Sequence, residues 1–346
     1  MTIDLLILGN APIARMLERV KLAEANGYDT VWLADERFYR EVYSCLTYFA
    51  QHTSRVKIGP CVTDPYARHP ALTAMAIATL DEISDRRAIL GIGAGISGFA
   101  ELGVDRKKPA RAIREAIELI RMLLRGETVT YKGEVIQFTD GKLSFAPVRP
   151  EIPVYVASNG PLGQKMSGAV ADGAIMEACG NAEEVRAYRA VLDAGAKQAG
   201  RDPKAVKLVT RLNTCIAPNG QAARDALRPS VARLLGAARL KFLSAERQGL
   251  SLTPELLASV AGAAYASGFT PYLPLLPHVT DRHVNSFTLA GDVAEVTARV
   301  IELREAGVDS VIVMPFAAEG GSIEDTIVKF GAEVWPAVQA AEKARA

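Results

Sequence analysis

The chain alternates strand-like and helix-like stretches along almost all of its 346 residues, and few architectures satisfy that pattern. Eight short β-rich runs stand out, at residues 3–9, 29–35, 55–63, 86–93, 152–158, 172–178, 206–217 and 309–315. Helix-period stretches come between them, with Gly27 as a stop signal and Pro70, Pro109 and Pro161 at helix starts. Eight such units predict an α/β protein, a (β/α)8 TIM barrel with insertions; a doubly wound open sheet is the alternative. The rhythm breaks twice. Residues 127–150 alternate with period two around Lys132-Gly133 and Asp140-Gly141, which predicts a β-hairpin insertion. Residues 221–287 read as a mostly helical insertion after the seventh strand, although its Pro-rich stretch TPYLPLLPHV cannot be regular helix. No repeat or low-complexity linker interrupts the chain, so a single domain over 1–346 is expected.

In a barrel the loops at the carboxyl ends of the strands carry the chemistry. The third unit, VKIGPCVTDPYARHP, ends in the turn formers Asp64-Pro65 and the polar tips Tyr66, Arg68 and His69. The second strand ends in Asp35-Glu36-Arg37. These are either an ordinary acidic loop with an arginine partner or carboxylates placed to bind a cofactor or take a proton. Residues 93–98 match GxGxxG, but in the fourth unit and far ahead of a helix expected only near Pro109. The glycines from Gly91 to Gly98 are better read as letting a flat ring lie against the backbone. Ser158-Asn159-Gly160-Pro161 makes a helix start, with Ser or Asn as N-cap, that can hold a phosphate or simply begin a helix. The sixth strand ends in Glu177, and the seventh carries Arg211 and Asn213.

The net charge of +1, from 40 basic and 39 acidic residues, gives no global pull toward nucleic acid or an anionic membrane. No apolar run is long enough to span a bilayer, and the first ten residues read as a strand rather than a secretory signal. The four widely spaced cysteines form no CxxC pair, which fits a reduced, cytoplasmic protein without structural zinc. The four histidines form no HxH or HExxH, so no metal site is expected and a metal-dependent barrel hydrolase is disfavoured. His69 alone sits where chemistry is expected.

The runs VWLADERF, KIGPCVTDPYARHPALTAMAIATLDEIS, AILGIGAG and IPVYVASNGP with ADGAIM, taken in order, resemble the bacterial luciferase-like superfamily. TDPYARHP most resembles its methylenetetrahydromethanopterin reductase branch. The resemblance covers residues 1–215 well and about 288–340 moderately. It implies a barrel enzyme using coenzyme F420 or FMN. Asp35 matches the acid facing the cofactor ring, and Cys61-Val62 matches a position that is a non-prolyl cis peptide in several members. Thr63 and Gly91, Gly93, Ala94 and Gly95 match ring and ribityl contacts; Ser158, Asn159 and Gly160 match the phosphate site. Two departures stand out: Glu36 occupies a position that is His in several deazaflavin enzymes, and strand 1 ends Leu8-Gly9-Asn10 without an acid.

These readings converge on F420-dependent hydride transfer to or from a small organic substrate. Asp35, Glu36 and His69 are the catalytic candidates, Glu177 joins the cofactor contacts, and Tyr66 and Arg211 face the substrate. The alternatives are an FMNH2-dependent two-component monooxygenase, served by a separate flavin reductase, and a flavin-binding barrel without turnover. Related barrels pair through helices near strands 2 to 4, so a homodimer or higher homo-oligomer is expected.

Overall fold

The computed structural model describes residues 1–36, 38–95, 98–237, 243–263 and 267–344. Arg37, Ile96 and Ser97, parts of two sequence motifs, lie outside them. The chain divides into two compact units: Met1–Glu177 with Ala187–Val209 and Val308–Ile312, and Ala178–Arg186 with Thr210–Gly307 and Val313–Ala346.

The first unit holds β1 (Thr2–Ile7), α1 (Ile13–Ala25), β2 (Thr30–Leu33), α2 (Val42–Ala50), β3 (Lys57–Pro60), α3 (Pro70–Ile83) and β4 (Leu90–Gly93). It continues through α4 (Phe99–Leu102), α5 (Pro109–Leu124), β5 (Val129–Lys132), β6 (Gln137–Gly141), β7 (Val154–Ala157), α6 (Pro161–Val170) and β8 (Gly173–Glu177). Most of α7 (Ala182–Gln198) and the first residues of β9 (Lys207–Ile216) and β11 (Ser310–Pro315) complete it.

The strands of the barrel follow the order β3-β2-β1-β11-β9-β8-β7-β4. Bridges Ile58–Ala88 and Thr63–Ile92 join β3 to β4, so the ring closes as a (β/α)8 barrel. The seams at the shared strands are hydrogen-bonded within this unit: Thr2 N–H to Asp309 O at 3.0 Å, Asp309 N–H to Leu208 O at 2.7 Å and Lys207 N–H to Asp172 O at 3.0 Å. Parallel strands covered on both faces read as unbroken apolar runs, as TVWL and LGIG do here.

Inside the ring Trp32 donates its indole N–H to buried Asp4 Oδ2 at 3.2 Å. Outside it, glycines set the helix spacing: a β-carbon on Gly168 would lie 2.0 Å from Leu192 O, and one on Gly195 2.1 Å from Lys165 O.

The hairpin insertion is one antiparallel pair, β5 with β6, turning after Lys132-Gly133. Asp140-Gly141 ends β6 instead of making a second hairpin. Glu115 of α5 carries the pair, its carboxylate accepting the N–H groups of Glu134, Val135 and Ile136 at 2.8, 2.9 and 3.0 Å. Burial disfavours that charge, but the three backbone donors prevail and hold its pKa below the ordinary value. Arg149 returns the chain to the barrel by donating to both oxygens of buried Asp81, at 2.8 and 2.7 Å.

The second unit contains the rest of β9 and β11 with α8 (Gly220–Gly236), α9 (Leu243–Arg247), α10 (Pro254–Ser259) and α11 (Asp281–Phe287). It also contains β10 (Thr288–Gly291), α12 (Val293–Glu305), α13 (Ile323–Lys329) and α14 (Trp335–Lys343). Its core includes Leu227, Val231, Tyr272, Leu275 and Phe287.

Three features differ from expectation. β10 is an additional strand, parallel to β9 with Thr288 opposite Asn213. Thr270–His278 is a regular 3-10 helix after all. Its prolines 271, 274 and 277 recur every three residues, the period of that helix, so their missing N–H groups share one edge. The last helix is interrupted by a π turn over Phe330–Val334, just before Pro336 removes a backbone donor.

Candidate active site

The loops of the first unit after β2, β3, β4 and β7, with Glu177 as the last residue of β8, carry nearly all the sequence candidates. Asp35 and Glu36 follow β2 and are half-buried. Glu41 then caps α2, accepting the Ser44 N–H at 2.7 Å. The first turn of that helix presents Tyr43, only 7% exposed. Burial pushes the Tyr43 phenol well above its usual range and the Asp35 charge adds to it, while Arg68 and Thr63 act in the opposite direction. The Arg68 guanidinium lies 4.8 Å from the Tyr43 ring centroid and pairs with Glu41 at 2.8 Å. Tyr43 OH and Thr63 Oγ1 approach one another, but neither meets the geometry of a formed hydrogen bond with a described group. Asp35, Tyr43, Thr63 and Arg68 therefore cluster, and Tyr43 belongs to no motif that marks it in the sequence.

β3 runs into a cis peptide between Cys61 and Val62, at the position the resemblance implied. Cys61 N–H donates to Leu33 O at 2.8 Å and Thr63 N–H to Gly91 O at 3.0 Å, so the bulge is held from both neighbouring strands. Beyond it, buried Asp64 accepts the N–H groups of Tyr66 and Ala67 at 2.8 and 2.9 Å. The Tyr66 hydroxyl donates to Lys107 O at 2.8 Å, and its ring meets Phe99 edge-on at 6.1 Å. His69 caps α3: its Nδ1 accepts the Ala71 N–H at 3.2 Å and its Nε2 donates to Gln137 O at 3.0 Å. Both ring nitrogens are thus engaged in fixing the loop and the hairpin.

The glycines in and just after β4 make room for protein. A β-carbon on Gly91 would stand 2.3 Å from Pro60 O, and one on Gly93 2.7 Å from Val62 Cγ2. Gly95, at φ +61°, abuts Phe99, and the Arg106 guanidinium donates to its carbonyl. Ala94 is half-buried between them. Helix α4 comes before Pro109, so the glycine loop reaches a helix sooner than the sequence implied.

At β7 the helix start is more open than expected. Gly160, not Ser158 or Asn159, is the N-cap of α6, and no side chain among the described residues caps the helix. Asn159 is turned to β8 instead, its Oδ1 accepting the Glu177 N–H at 3.1 Å. Ser158 Oγ packs over Gly163 in the first turn, where a β-carbon would be 1.8 Å away. A β-carbon on Gly160 would meet nothing within 4 Å. Uncapped N–H groups, open space and the Ser158 hydroxyl lying over the first turn suit a phosphate. The partnerless buried hydroxyls beside Asp35 suit the polar edge of a flavin-type ring. The residues present therefore fit such a cofactor. Arg211 lies in the second unit on β9, where it contacts the Met314 sulfur and its carbonyl accepts the Ala178 N–H at 2.9 Å.

Comparison with known proteins gives a consistent result. The family model described as luciferase-like monooxygenase matches residues 3–310. The 5,10-methylenetetrahydromethanopterin reductase of Archaeoglobus fulgidus is 36% identical over 296 residues, covering 85% of this chain and 87% of the relative. That of Methanolobus tindarius is 34% identical over 313 residues, covering 90% and 93%. The solved structure of the coenzyme F420 dependent tetrahydromethanopterin reductase from Methanopyrus kandleri superposes with a TM-score of 0.85 at 29% identity, covering 97% of this chain and 98% of that one.

Proposed function

The chain belongs to the luciferase-like monooxygenase family, and from that premise we propose that it is an F420-dependent reductase of the methylenetetrahydromethanopterin reductase type. The observation that carries this reading is the length and level of its identity to the reductases of that name. When bound, the cofactor ring gives or takes a hydride at its central position.

The protein's part is to hold and orient. The uncapped start of α6, with Ser158, Asn159 and Gly160, takes the phosphate. Thr63, the Cys61-Val62 bulge and the Gly91, Gly93, Ala94 and Gly95 backbone bound the ring, and Glu177 stands at the same end of β8. Asp35 and Glu36 manage the proton that accompanies hydride transfer, with the Tyr43 hydroxyl within reach of the Asp35 charge. His69 fixes the loop through both nitrogens; a direct proton transfer there would first have to break one of those bonds. Tyr66 and Arg211 are assigned to the organic substrate. The protein works in the cytoplasm as a homodimer or higher homo-oligomer, with the exposed Leu72, Met75 and Ile83 of α3 as apolar contact surface.

Fluorescence titration of the apo protein with coenzyme F420 and with FMN tests the reading. Tight binding of F420 with anaerobic turnover of the methylene pterin supports it. Preference for reduced FMN, with oxygen uptake, replaces it with a two-component monooxygenase fed by a separate flavin reductase. Binding without any redox exchange leaves a barrel without turnover.

A further inference from the structure

The second unit contains a cavity of its own, about 650 Å³ in volume, within the range of small-molecule sites. It forms where the loop after β8 and the start of α7 meet α9 and α11. Every side chain lining it is polar or charged. A flat apolar ring has nothing to pack on there; a hydrophilic ligand does.

The charge balance decides what kind. Glu184 is 8% exposed and is taken by Arg247, whose Nε donates to it at 3.0 Å while an Nη closes the second bond. Glu183 is exposed in the first turn of α7. The α7 start is already satisfied, because Asn181 Oδ1 accepts the N–H groups of Glu183 and Glu184 at 2.8 and 3.4 Å. The helix end is therefore not the attraction; the arginines are. Arg282 is anchored by one Nη2 donation to Gln248 O at 2.9 Å, and no carboxylate among the described residues pairs with it.

A third guanidinium lies beneath the floor. Arg299 of α12 donates through Nη2 to Gly180 O at 3.2 Å and also to Asn285 O, both residues of the pocket wall. A β-carbon on Gly180 would be 2.8 Å from that nitrogen. Among the described residues Arg299 Nη1 has no hydrogen-bond partner, and it is shut off from solvent. Burial pushes this arginine down to about 10, so it stays charged at neutral pH; Glu302 and Glu295 help it only at a distance, and Glu295 is paired with Arg224. With the Glu184–Arg247 pair cancelled, Arg282 and Arg299 stand against the one exposed carboxylate of Glu183 around a polar cavity.

We propose that this pocket binds a small, strongly anionic ligand, a phosphate ester or a polycarboxylate, gripped by Arg282 and by the Nη that the Glu184 pair leaves to Arg247, over the standing charge of Arg299. The planar guanidinium of Arg282, with Nε and Nη1 left by its bond to Gln248, suits both oxyanions by N–H donation. Asn285 and Ser286 supply neutral contacts beside them.

Isothermal titration of the full-length protein at low ionic strength, with pyrophosphate and with citrate as probes, tests this. At least one probe binds with a Kd in the micromolar range. Binding of pyrophosphate alone assigns a phosphate ligand, and binding of citrate alone a polycarboxylate. Arg282→Gln, on an exposed side chain, weakens binding at least tenfold, whereas Arg15→Gln, a surface change on α1, leaves it unchanged. Arg299→Lys, which keeps the charge, retains most of the affinity. Absence of binding by both probes overturns the proposal, as does an Arg282→Gln variant that binds like the parent. Neither result depends on whether F420 or FMN binds the first unit.

Discussion

Val62 fills the space in front of Gly93: a β-carbon on Gly93 would stand 2.7 Å from Val62 Cγ2 and 3.3 Å from Ala157 O. The second residue of the bulge and the last residue of β4 are fitted to each other. Valine is stiff about χ1 and cannot swing aside cheaply. Gly93→Ala is therefore expected to cost about 1–3 kcal/mol in urea unfolding and to weaken cofactor binding. Adding Val62→Ala returns part of the loss. Strictly additive effects in that double-mutant cycle would refute the pairing.

Gly160→Val separates binding from folding. The position has no neighbour within 4 Å and an ordinary φ of −83°, so a side chain is tolerated at a cost of about 1 kcal/mol or less. The branched side chain occupies the open helix start. Cofactor affinity should fall at least tenfold while the melting temperature barely moves. An unchanged Kd in the folded variant removes the phosphate assignment.

Asp4 makes stability depend on pH. Burial, with a smaller push from the charge of Asp29, raises its pKa to about 7 against the hydrogen bond from Trp32. The folded chain thus keeps a proton that the unfolded chain loses near 3.8. The contribution is full below that lower value, shrinks as pH rises toward 7 and is gone above it. At about 1.4 kcal/mol per pKa unit the loss amounts to a few kcal/mol. Asp4→Asn should flatten this slope and be the more stable protein at pH 8. Parallel stability curves for the two proteins between pH 4 and 7 would show that Asp4 does not titrate there.

His69→Ala removes a helix cap and the tie to Gln137, at about 1–2 kcal/mol in unfolding experiments. His69→Asn restores the cap and should recover about half of that. Neither variant should shift the pH profile of kcat, since the ring nitrogens are occupied by structure. A displaced profile would return His69 to the proton-transfer step.

The strand ends that carry the site could be read from the sequence because apolar runs meeting turn residues have a period and a boundary. Asp35 and Ser158 are proposed as site residues on that ground, and Thr63 through the family resemblance. β10 could not be: TLAG is four residues, without alternation, wedged between two helices. Tyr43 was hidden because a helical tyrosine one turn past a loop resembles any core aromatic, and only the folded chain brings it to Asp35. The role of Gly160 was blurred for a related reason. Ser-Asn-Gly-Pro offers three candidate caps, and Asn159 is drawn off to β8 by a contact 18 positions away.

The turn of the β5–β6 hairpin is held by one carboxylate, Glu115, while His69 ties Gln137 and the Arg149 pair holds the exit. A turn fastened in this way is part of the helix it rests on. Lengthening or tagging residues 133–136 would strip the buried Glu115 carboxylate of its three donors and leave a charge without partners, so an insertion at this tip unfolds more than the tip.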